Sequence, residues 1–246
     1  MITELVEPFG PAIGYTNIFD DVEFNKILNN VLSIVDNNKN QIKQHLKSIK
    51  NKSISKGLIG GHKDITDAMK NDESFSNLIK EFASDYLIKI ENKNNNLIRF
   101  NQTRDLVDPS IFRDREEKIS KFNIRIGEAW FVILKSGDFH ALHNHYASDL
   151  DITDDIFKGF LSGAFYLDVP ENLDFPQGSI TWINGGNNVG LDNSSSWTVS
   201  PKSGDMFIWP AWLPHMVYPF SDDKERLMIS FNLIGTKRTK PVVTIK

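Results

Sequence analysis

The spacing of hydrophobic residues changes near the middle of the chain. Between Asp21 and Asp85, apolar side chains recur every three or four positions, which is typical of amphipathic helices. Three helices are predicted: residues 22–34, with an extension over residues 42–49, then Asp64–Met69, and then Ser74–Ile90. Asp64 can cap the first turn of the second helix. On their pattern alone these helices are interpreted as scaffold.

A strand pattern replaces the helical one from Leu97 onward. The segments are short, rich in β-branched and aromatic residues, and bounded by Gly, Pro, Asn and Ser. Strands are predicted at Leu97–Gln102, Phe122–Leu134, Phe160–Val169, Ser179–Ile183, Trp197–Ser200, Asp205–Trp209, His215–Phe220 and Arg226–Ile234. Many short strands without helices between them favour an antiparallel sandwich or barrel over a parallel sheet.

The two halves are expected to form one domain, because no Pro-rich linker separates them. This domain spans residues 1–246, with a helical part at 1–95 and a β core at 96–246. Two long loops interrupt the β core: an acidic one at Tyr146–Phe160, and one of mostly Gly, Asn, Asp and Ser at Asn184–Ser196. Loops of this length are usually functional lids or insertions.

Composition and charge restrict the chemistry that the chain can carry. It has 28 Lys and Arg against 32 Asp and Glu, a formal net charge of -4, so no global basic field attracts nucleic acid. Cysteine is absent, so any metal ligands must be His, Asp, Glu or water. His45 and His62 lack a neighbouring ligand type and are expected at the surface. No apolar run reaches the roughly 20 residues of a membrane helix. We expect a soluble cytoplasmic protein; the sequence leaves its oligomeric state open, a homodimer included.

The histidine pair in His143-Asn144-His145 is the sharpest local signal for a metal site. Alternate residues of an extended segment point to the same side, so both imidazoles can reach one ion. His215, which opens a strand after a Pro-containing bend, is the candidate third ligand. His140 lies three residues before His143, so it does not share a face with the pair in an extended segment. It is assigned either to the surroundings of the ligands or to the surface. Because the pattern is short, the alternative is a surface hairpin with His215 in the core.

Polar residues share one face of the last predicted strand. Arg226, Ser230 and Asn232 lie on this face, and the residues of the opposite face are apolar. The polar face is either solvated, as in an ordinary sandwich, or turned inward in a barrel that holds a small anion. In the second case Arg226 offers a planar fork to a carboxylate, with Ser230 as a supporting hydroxyl. Ser162 and Tyr166 share a face of another strand, and Tyr166 would add a phenol to the same carboxylate.

Several ordered blocks of the sequence resemble one protein family. The blocks are His143-Asn144-His145, LSGAFYLDVP at 161–170, GDMFIWP at 204–210 with WLPH at 212–215, and ERLMISFN at 225–232. Together they are similar to the HxH … SGxxY(L/V)xxP … ERxxISFN pattern of 2-oxoglutarate/Fe(II) oxygenases found in bacteria and phages. The resemblance extends over roughly Trp130 to Ile234, and ordered blocks are jointly far more specific than any one of them.

This resemblance implies a fold, an activity and two cofactors. The fold would be α+β, mainly β: a double-stranded β-helix, or cupin-like jelly-roll barrel, with the N-terminal helices packed on it. The activity would be that of a dioxygenase, an oxidoreductase that uses Fe(II), O2 and 2-oxoglutarate, releases succinate and hydroxylates a small molecule or a peptidyl side chain. By the same resemblance, His143 and His215 would bind iron, and Arg226 would bind the C5 carboxylate of 2-oxoglutarate.

The chain departs from the superfamily at the first metal motif. The superfamily usually has HxD or HxE there, which supplies a carboxylate to non-haem iron, whereas this chain has His145. Iron is then held either by three imidazoles or by two with a carboxylate, for which Asp149 is the nearest candidate. Strand alternation favours His145. Ser162, Trp212, Asn232 and Asp149 are further candidates for contacts with the substrate or with the metal ligands.

Two alternative functions remain open on the sequence. One is a cupin-like three-His metalloenzyme without 2-oxoglutarate, and the other is a non-enzymatic jelly-roll protein with a binding or structural role. Arg226 lies about eleven residues after His215, which matches the superfamily spacing and favours the oxygenase. The binding-protein hypothesis leaves the clustered histidines unexplained. The acidic loop Tyr146–Phe160 is either a lid over the barrel mouth or a solvated surface loop, and no pattern names the substrate.

Overall fold

The computed structural model describes residues 4–6, 12–37, 58–59, 61–92, 122–145, 156–184 and 195–237. The helices in these ranges are α1 (Val22–Asn37), α2 (Thr66–Asn71) and α3 (Glu73–Asn92). The strands are β1 (Glu4–Val6), β2 (Ile13–Asn17), β3 (Leu58–Ile59), β4 (Gly61–Asp64), β5 (Phe122–Leu134), β6 (Phe139–His143), β7 (Ile156–Asp168), β8 (Ile180–Ile183), β9 (Ser196–Val199), β10 (Asp205–Pro210), β11 (His215–Val217) and β12 (Arg226–Lys237). No helix among the described residues is both long and apolar enough to cross a membrane.

The three predicted helices are confirmed, and aspartate side chains begin two of them. Asp64 Oδ1 accepts a hydrogen bond from the backbone N–H of Thr66 at 2.8 Å, and Asp72 Oδ1 accepts one from that of Phe75 at 2.9 Å. Both bonds satisfy an N–H group that has no partner within its helix. The predicted extension over residues 42–49 lies outside the described residues, as do His45 and the predicted strand Leu97–Gln102.

The helical half of the chain also contributes four short strands, β1 to β4, which its hydrophobic spacing does not predict. Strand β2 pairs with β10, and β4 pairs with β5, so that His62 lies opposite Val132. Strands this short depend on a partner that is distant in the sequence, and their own residues therefore carry little local signal. In the β half the predicted strands agree more closely: β5 has the predicted bounds, and β12 begins at the predicted Arg226.

The strands form the two sheets of a jelly roll. The seven-stranded sheet has the order β1-β2-β10-β7-β12-β5-β4, and the five-stranded sheet has the order β3-β6-β11-β8-β9, with antiparallel pairing throughout. One hydrophobic cluster draws on the facing surfaces of both sheets, with Val132, Tyr166, Phe207, Ile180, Trp182 and Val217 among its members. This two-sheet arrangement confirms the predicted double-stranded β-helix.

The helices pack on the other face of the seven-stranded sheet. Ring contacts join Phe24 of α1 to Phe165 of β7, at 5.7 Å between centroids, and Phe75 of α3 to Phe231 of β12, at 6.3 Å. These residues belong to a second buried cluster, which contains side chains of all three helices and of the sheet. The sheet therefore separates two apolar layers, one shared with the helices and one inside the barrel.

Strand β12 lies inside the seven-stranded sheet, between β7 and β5, and contributes side chains to both apolar layers. Ile229, Phe231 and Leu233 are buried in the layer shared with the helices. Met228 belongs to the barrel cluster, and the Arg226 guanidinium lies over the ring of Tyr166 in the same interior. The polar face predicted for this strand thus turns inward rather than to solvent, because the helices cover the apolar face.

Candidate metal centre

Three imidazoles converge inside the barrel. One potential ligand atom from each of His143, His145 and His215 lies within 4.8 Å of the others. The ring centroids of His143 and His215 are 4.4 Å apart, those of His145 and His215 are 5.1 Å apart, and those of His143 and His145 are 5.2 Å apart. Among the described residues this is the one such cluster of metal-ligand types.

Different elements position the three rings. His215 opens β11, where it pairs with His143 at the end of β6 and with Trp182 of β8. His145 lies two residues beyond the end of β6, and its backbone N–H donates a hydrogen bond to the carbonyl oxygen of Ala211 at 2.9 Å. The histidine pair is therefore not held by strand alternation alone, as the sequence suggested, but by docking of His145 against the bend that precedes His215.

Backbone carbonyls orient two of the rings. His143 Nδ1 lies 2.7 Å from the carbonyl oxygen of Ala141, and His215 Nδ1 lies 3.2 Å from that of Leu213. A carbonyl oxygen only accepts, so each Nδ1 carries the proton and donates it, which leaves Nε2 with a lone pair. Hydrogen bonds of this kind fix the tautomer and the direction of a metal-ligating histidine.

The three imidazoles are neutral at pH 7. Burial lowers the pKa of His145 to about 3, with a further contribution from the neighbouring His143. Burial likewise lowers the pKa of His143 and places that of His215 well below its ordinary value. Neutral imidazole is the form that binds metal, and such a nitrogen donor set suits Zn, Cu, Fe and Ni. The residues present therefore fit a divalent transition-metal ion such as Fe(II).

Arg226 is fully buried in the same interior. One guanidinium nitrogen, Nη1, donates to the carbonyl oxygen of Gly178, and the guanidinium carbon lies 4.7 Å from the ring centroid of Tyr166. Arg226 Nε and the Tyr166 hydroxyl are both buried without a hydrogen-bond partner. Among the described residues no carboxylate forms an ion pair with this arginine. Since a buried charge is costly unless it is paired, the arrangement fits an incoming carboxylate.

A chain of hydrogen bonds crosses three strands on the barrel side of the large sheet. Ser162 Oγ donates to Asn232 Oδ1 at 2.8 Å, and Asn232 Nδ2 donates to Glu128 Oε2 at 3.1 Å. Trp209 pairs with Ser162 in the sheet, and its ring lies 4.9 Å from that of His215. The predicted residues Ser162 and Asn232 thus lie near the metal cluster. Glu128, which sequence reasoning missed, completes this chain.

The other predicted residues are placed less centrally. Ser230 is half-buried on β12, paired with Trp130 and Ala164. Trp212 is 36% exposed in the bend before His215 and makes no described ring contact. Asp149 lies outside the described residues, as does most of the predicted lid Tyr146–Phe160.

The surface position expected for His62 is wrong. Its ring stacks on that of His140 at 4.9 Å between centroids, and its Nε2 atom is buried. Pairing of β4 with β5 turns the residue inward beside Val132, and nothing in its local sequence reveals that pairing. His140 is 6% exposed and lies 5.9 Å from the ring of His143, so of its two expected placements the structure selects the one beside the ligands.

Comparison with known families links this arrangement to one of them. Residues 128–232 match the sequence model of a protein family described as "Putative 2OG-Fe(II) oxygenase". The segment that matches this family lies in the β core and ends within β12. This family uses Fe(II) and 2-oxoglutarate (2OG), and the match contains the three clustered histidines, Tyr166 and Arg226. No curated protein matches the chain.

Solved structures that match the chain include three prolyl hydroxylases. One is a Pseudomonas putida prolyl-4-hydroxylase, with 14% identity over 92% of each chain and a TM-score of 0.41. Another is the viral collagen prolyl hydroxylase of Paramecium Bursaria Chlorella virus-1 in its 2OG complex, with 14% identity over 90% of this chain and 95% of that chain and a TM-score of 0.42. The third, from Trichoplax adhaerens, is in complex with a hypoxia inducible factor peptide, with 9% identity over 92% and 83% and a TM-score of 0.43.

Proposed function

We propose that the chain is an Fe(II)- and 2-oxoglutarate-dependent dioxygenase that hydroxylates a small molecule or a peptidyl side chain. The observation that carries the proposal is the placement of three convergent neutral imidazoles and a buried, unpaired arginine in one barrel interior. When bound, Fe(II) and 2-oxoglutarate would supply the oxidising chemistry, in which O2 is consumed, 2-oxoglutarate becomes succinate and CO2, and the substrate gains a hydroxyl group.

The proposed iron ligands are His143, His145 and His215. Three protein ligands leave further positions of the metal open, which is what a non-haem Fe(II) oxygenase requires. The carbonyl oxygens of Ala141 and Leu213 orient two of the rings before any metal binds. We propose His145 rather than Asp149 as the third ligand, because its ring stands in the cluster at 5.1 Å from that of His215.

The proposed site for 2-oxoglutarate is built on Arg226 and Tyr166. A carboxylate there would accept hydrogen bonds from Arg226 Nε and from the Tyr166 hydroxyl, which are both buried donors without a partner. The carbonyl of Gly178 holds Nη1 and so fixes the plane of the guanidinium. Ser230, two residues beyond Met228 on the inward face of β12, would support the same ligand as a hydroxyl donor.

Aromatic side chains around the histidines would exclude water from the reaction. The ring of Trp209 lies 4.9 Å from that of His215, and the ring of Trp130 lies 6.0 Å from that of His145. A dry site strengthens the electrostatic interactions inside it and prevents side reactions. The hydrogen-bonded Ser162 and Asn232 supply the polar part of the same wall, and we propose that substrate is oriented there.

The three-imidazole ligand set also suits a cupin-like metalloenzyme that does not use 2-oxoglutarate. That alternative accounts for His143, His145 and His215, but it leaves the unpaired guanidinium of Arg226 without a role.

We further propose that residues 1–246 act as one domain, since a single buried cluster joins α1, α2 and α3 to the large sheet. The proposed location of the protein is the cytoplasm.

The test is an anaerobic titration of the Fe(II)-loaded protein with 2-oxoglutarate. The oxygenase should develop a weak visible charge-transfer band, and on admission of O2 it should release succinate. Arg125→Ala, which removes an exposed arginine of β5, serves as the matched control for Arg226→Ala and should keep the band. Stoichiometric iron binding without a band or succinate would instead favour the cupin-like alternative.

A further inference from the structure

Two histidines beyond the metal cluster share the barrel interior. His62 of β4 lies opposite Val132, and His140 of β6 lies opposite Val217, so both face the barrel cluster. Their rings stack at 4.9 Å with an interplanar angle of 29°. The Nε2 atoms of both rings are buried without a hydrogen-bond partner. The proposed mechanism so far uses neither residue.

The sheet register places His140 between the metal cluster and Arg226. In the small sheet, His215 of β11 pairs with His143 on one side and with Trp182 on the other. Two residues further along β11, Val217 pairs with His140 and with Ile180. Two residues further along the same line, Gly178 accepts the hydrogen bond from Arg226. The order along the barrel is therefore metal cluster, His140, Arg226. Burial lowers the pKa of His140 well below its ordinary value, and the neighbouring histidines and the Arg226 charge lower it further.

Packing between the two sheets does not explain why histidines occupy these two positions. The stacked rings join β4 of the large sheet to β6 of the small sheet, a role that two phenylalanines would fill without burying polar nitrogens. A buried nitrogen without a partner destabilises the fold, and such groups in native proteins usually have a ligand or an ordered water. Among the described residues six groups in this interior lack partners: His62 Nε2, His140 Nε2, the Tyr166 hydroxyl, Arg226 Nε, and the indole nitrogens of Trp182 and Trp209.

We propose that His140 donates a hydrogen bond from Nε2 to the 2-oxoglutarate held by Arg226, and that the stacked ring of His62 positions it. The inference rests on the proposed function, since it assigns two further residues to the cosubstrate site of that enzyme. A dicarboxylate that extends from the histidine cluster to Arg226 passes His140 and brings acceptor oxygens to its donor. His140 is then a cosubstrate-binding residue, and His62 is a positioning residue.

The first test compares variants in direct binding of labelled 2-oxoglutarate to Fe(II)-loaded protein under anaerobic equilibrium dialysis. His140→Phe keeps a planar ring but removes the donor and should weaken binding about tenfold or more, the range of one hydrogen bond to a charged group. His140→Gln restores an N–H donor and should stay within about threefold of wild type. Iron affinity should be unchanged in both variants, because neither change removes a proposed ligand.

Tyr86→Phe is the matched control. It also removes one buried hydrogen bond, from the Tyr86 hydroxyl to the carbonyl oxygen of Ala12 at 2.8 Å, but it does so in the helical layer. It should lower stability without changing the affinity for 2-oxoglutarate. His62→Phe, which keeps a stacked planar ring and loses both ring nitrogens, should weaken binding less than His140→Phe does.

A second measurement needs no substitution. In Zn(II)-loaded protein with isotope-labelled histidine, the ring N–H signal of His140 should move downfield and become protected from exchange when 2-oxoglutarate is added. An unmoved signal in protein that binds 2-oxoglutarate, or wild-type affinity in His140→Phe, would overturn the inference alone. Failure of the wild-type protein to bind 2-oxoglutarate would overturn the proposed function as well, so the two failures are distinguishable.

Discussion

His215 lies directly opposite His143 in the pairing of β11 with β6, and their rings are 4.4 Å apart. The proposed metal site is thus built across a strand pair, and its geometry depends on backbone hydrogen bonds as much as on side chains. Because His145 lies beyond the end of the strand and is held there by a bond to Ala211, the proposed third ligand has the least rigid support.

Removal of any of the three ligands should abolish stoichiometric Fe(II) binding. His143→Ala, His145→Ala and His215→Ala each delete one donor, and two imidazoles hold Fe(II) poorly. His140→Gln changes a neighbouring histidine and should retain the metal. Iron content after anaerobic loading is the measurement, with circular dichroism to establish that each variant is folded. Full iron content in His145→Ala alone would move the third ligand elsewhere and make Asp149 the next residue to test.

Substitution of Arg226 should act in opposite directions on ligand binding and on stability. Arg226→Ala should weaken 2-oxoglutarate binding by about 2–5 kcal/mol, the cost of truncating one partner of a buried charge pair, while iron binding is unaffected. Arg226→Met fills a similar volume without a buried charge, so the ligand-free protein should become more stable. Calorimetric titration and urea unfolding measure the two effects. Unchanged 2-oxoglutarate affinity would exclude Arg226 from the site.

The buried imidazoles should make the metal-free protein sensitive to acid. Burial lowers the pKa of His62 to about 4, whereas a histidine in the unfolded chain titrates near about 6.5. The unfolded state therefore binds the proton more readily. The free energy of unfolding should fall as the pH decreases from about 6.5 towards 4, by up to about 1.4 kcal/mol per pH unit for this group. Urea unfolding at several pH values should give a shallower dependence for His62→Phe, and identical slopes would contradict the argument.

Gly163 should be intolerant of even a methyl group. A Cβ atom at this position would lie 2.7 Å from the carbonyl oxygen of Phe207 and would overlap the ring of Phe231. Gly163→Ala should therefore destabilise the protein by about 1–3 kcal/mol, the usual cost of overpacking a core. The midpoint of urea unfolding measures this, and a midpoint equal to that of wild type would show that β10 and β12 can move apart.

The sequence predicted most strands of the β core, because they carry their own pattern, but it missed β6. Strand β12 alternates polar and apolar residues, and β5 ends in the apolar run Ala129–Leu134, so the bounds of β5 and the start of β12 could be read. The inward direction of Arg226 could be predicted only with the family resemblance, since the alternation alone does not show which face of the strand is solvated. Its surroundings, Gly178 and Tyr166, are brought together only by the sheets.

The missed residues share a physical cause. Strand β4 has four residues and owes its position to pairing with β5, so the inward placement of His62 is a tertiary property. Glu128 was likewise hidden, because its partner Asn232 is distant in the chain and adjacent only across the sheet. The loop expected at Tyr146–Phe160 ends earlier than predicted, because residues 156–160 belong to β7, and a lid role for the remainder stays a prediction.

The two faces of β12 also limit how the length of this strand can vary. Side chains alternate between the two faces of a strand. A single residue inserted between Arg226 and Met228 would therefore turn every side chain on one side of the insertion to the opposite face. Arg226 would then point at the helices, or Phe231 would point at the histidines. An insertion or deletion there would therefore disrupt the helical layer and the barrel interior together.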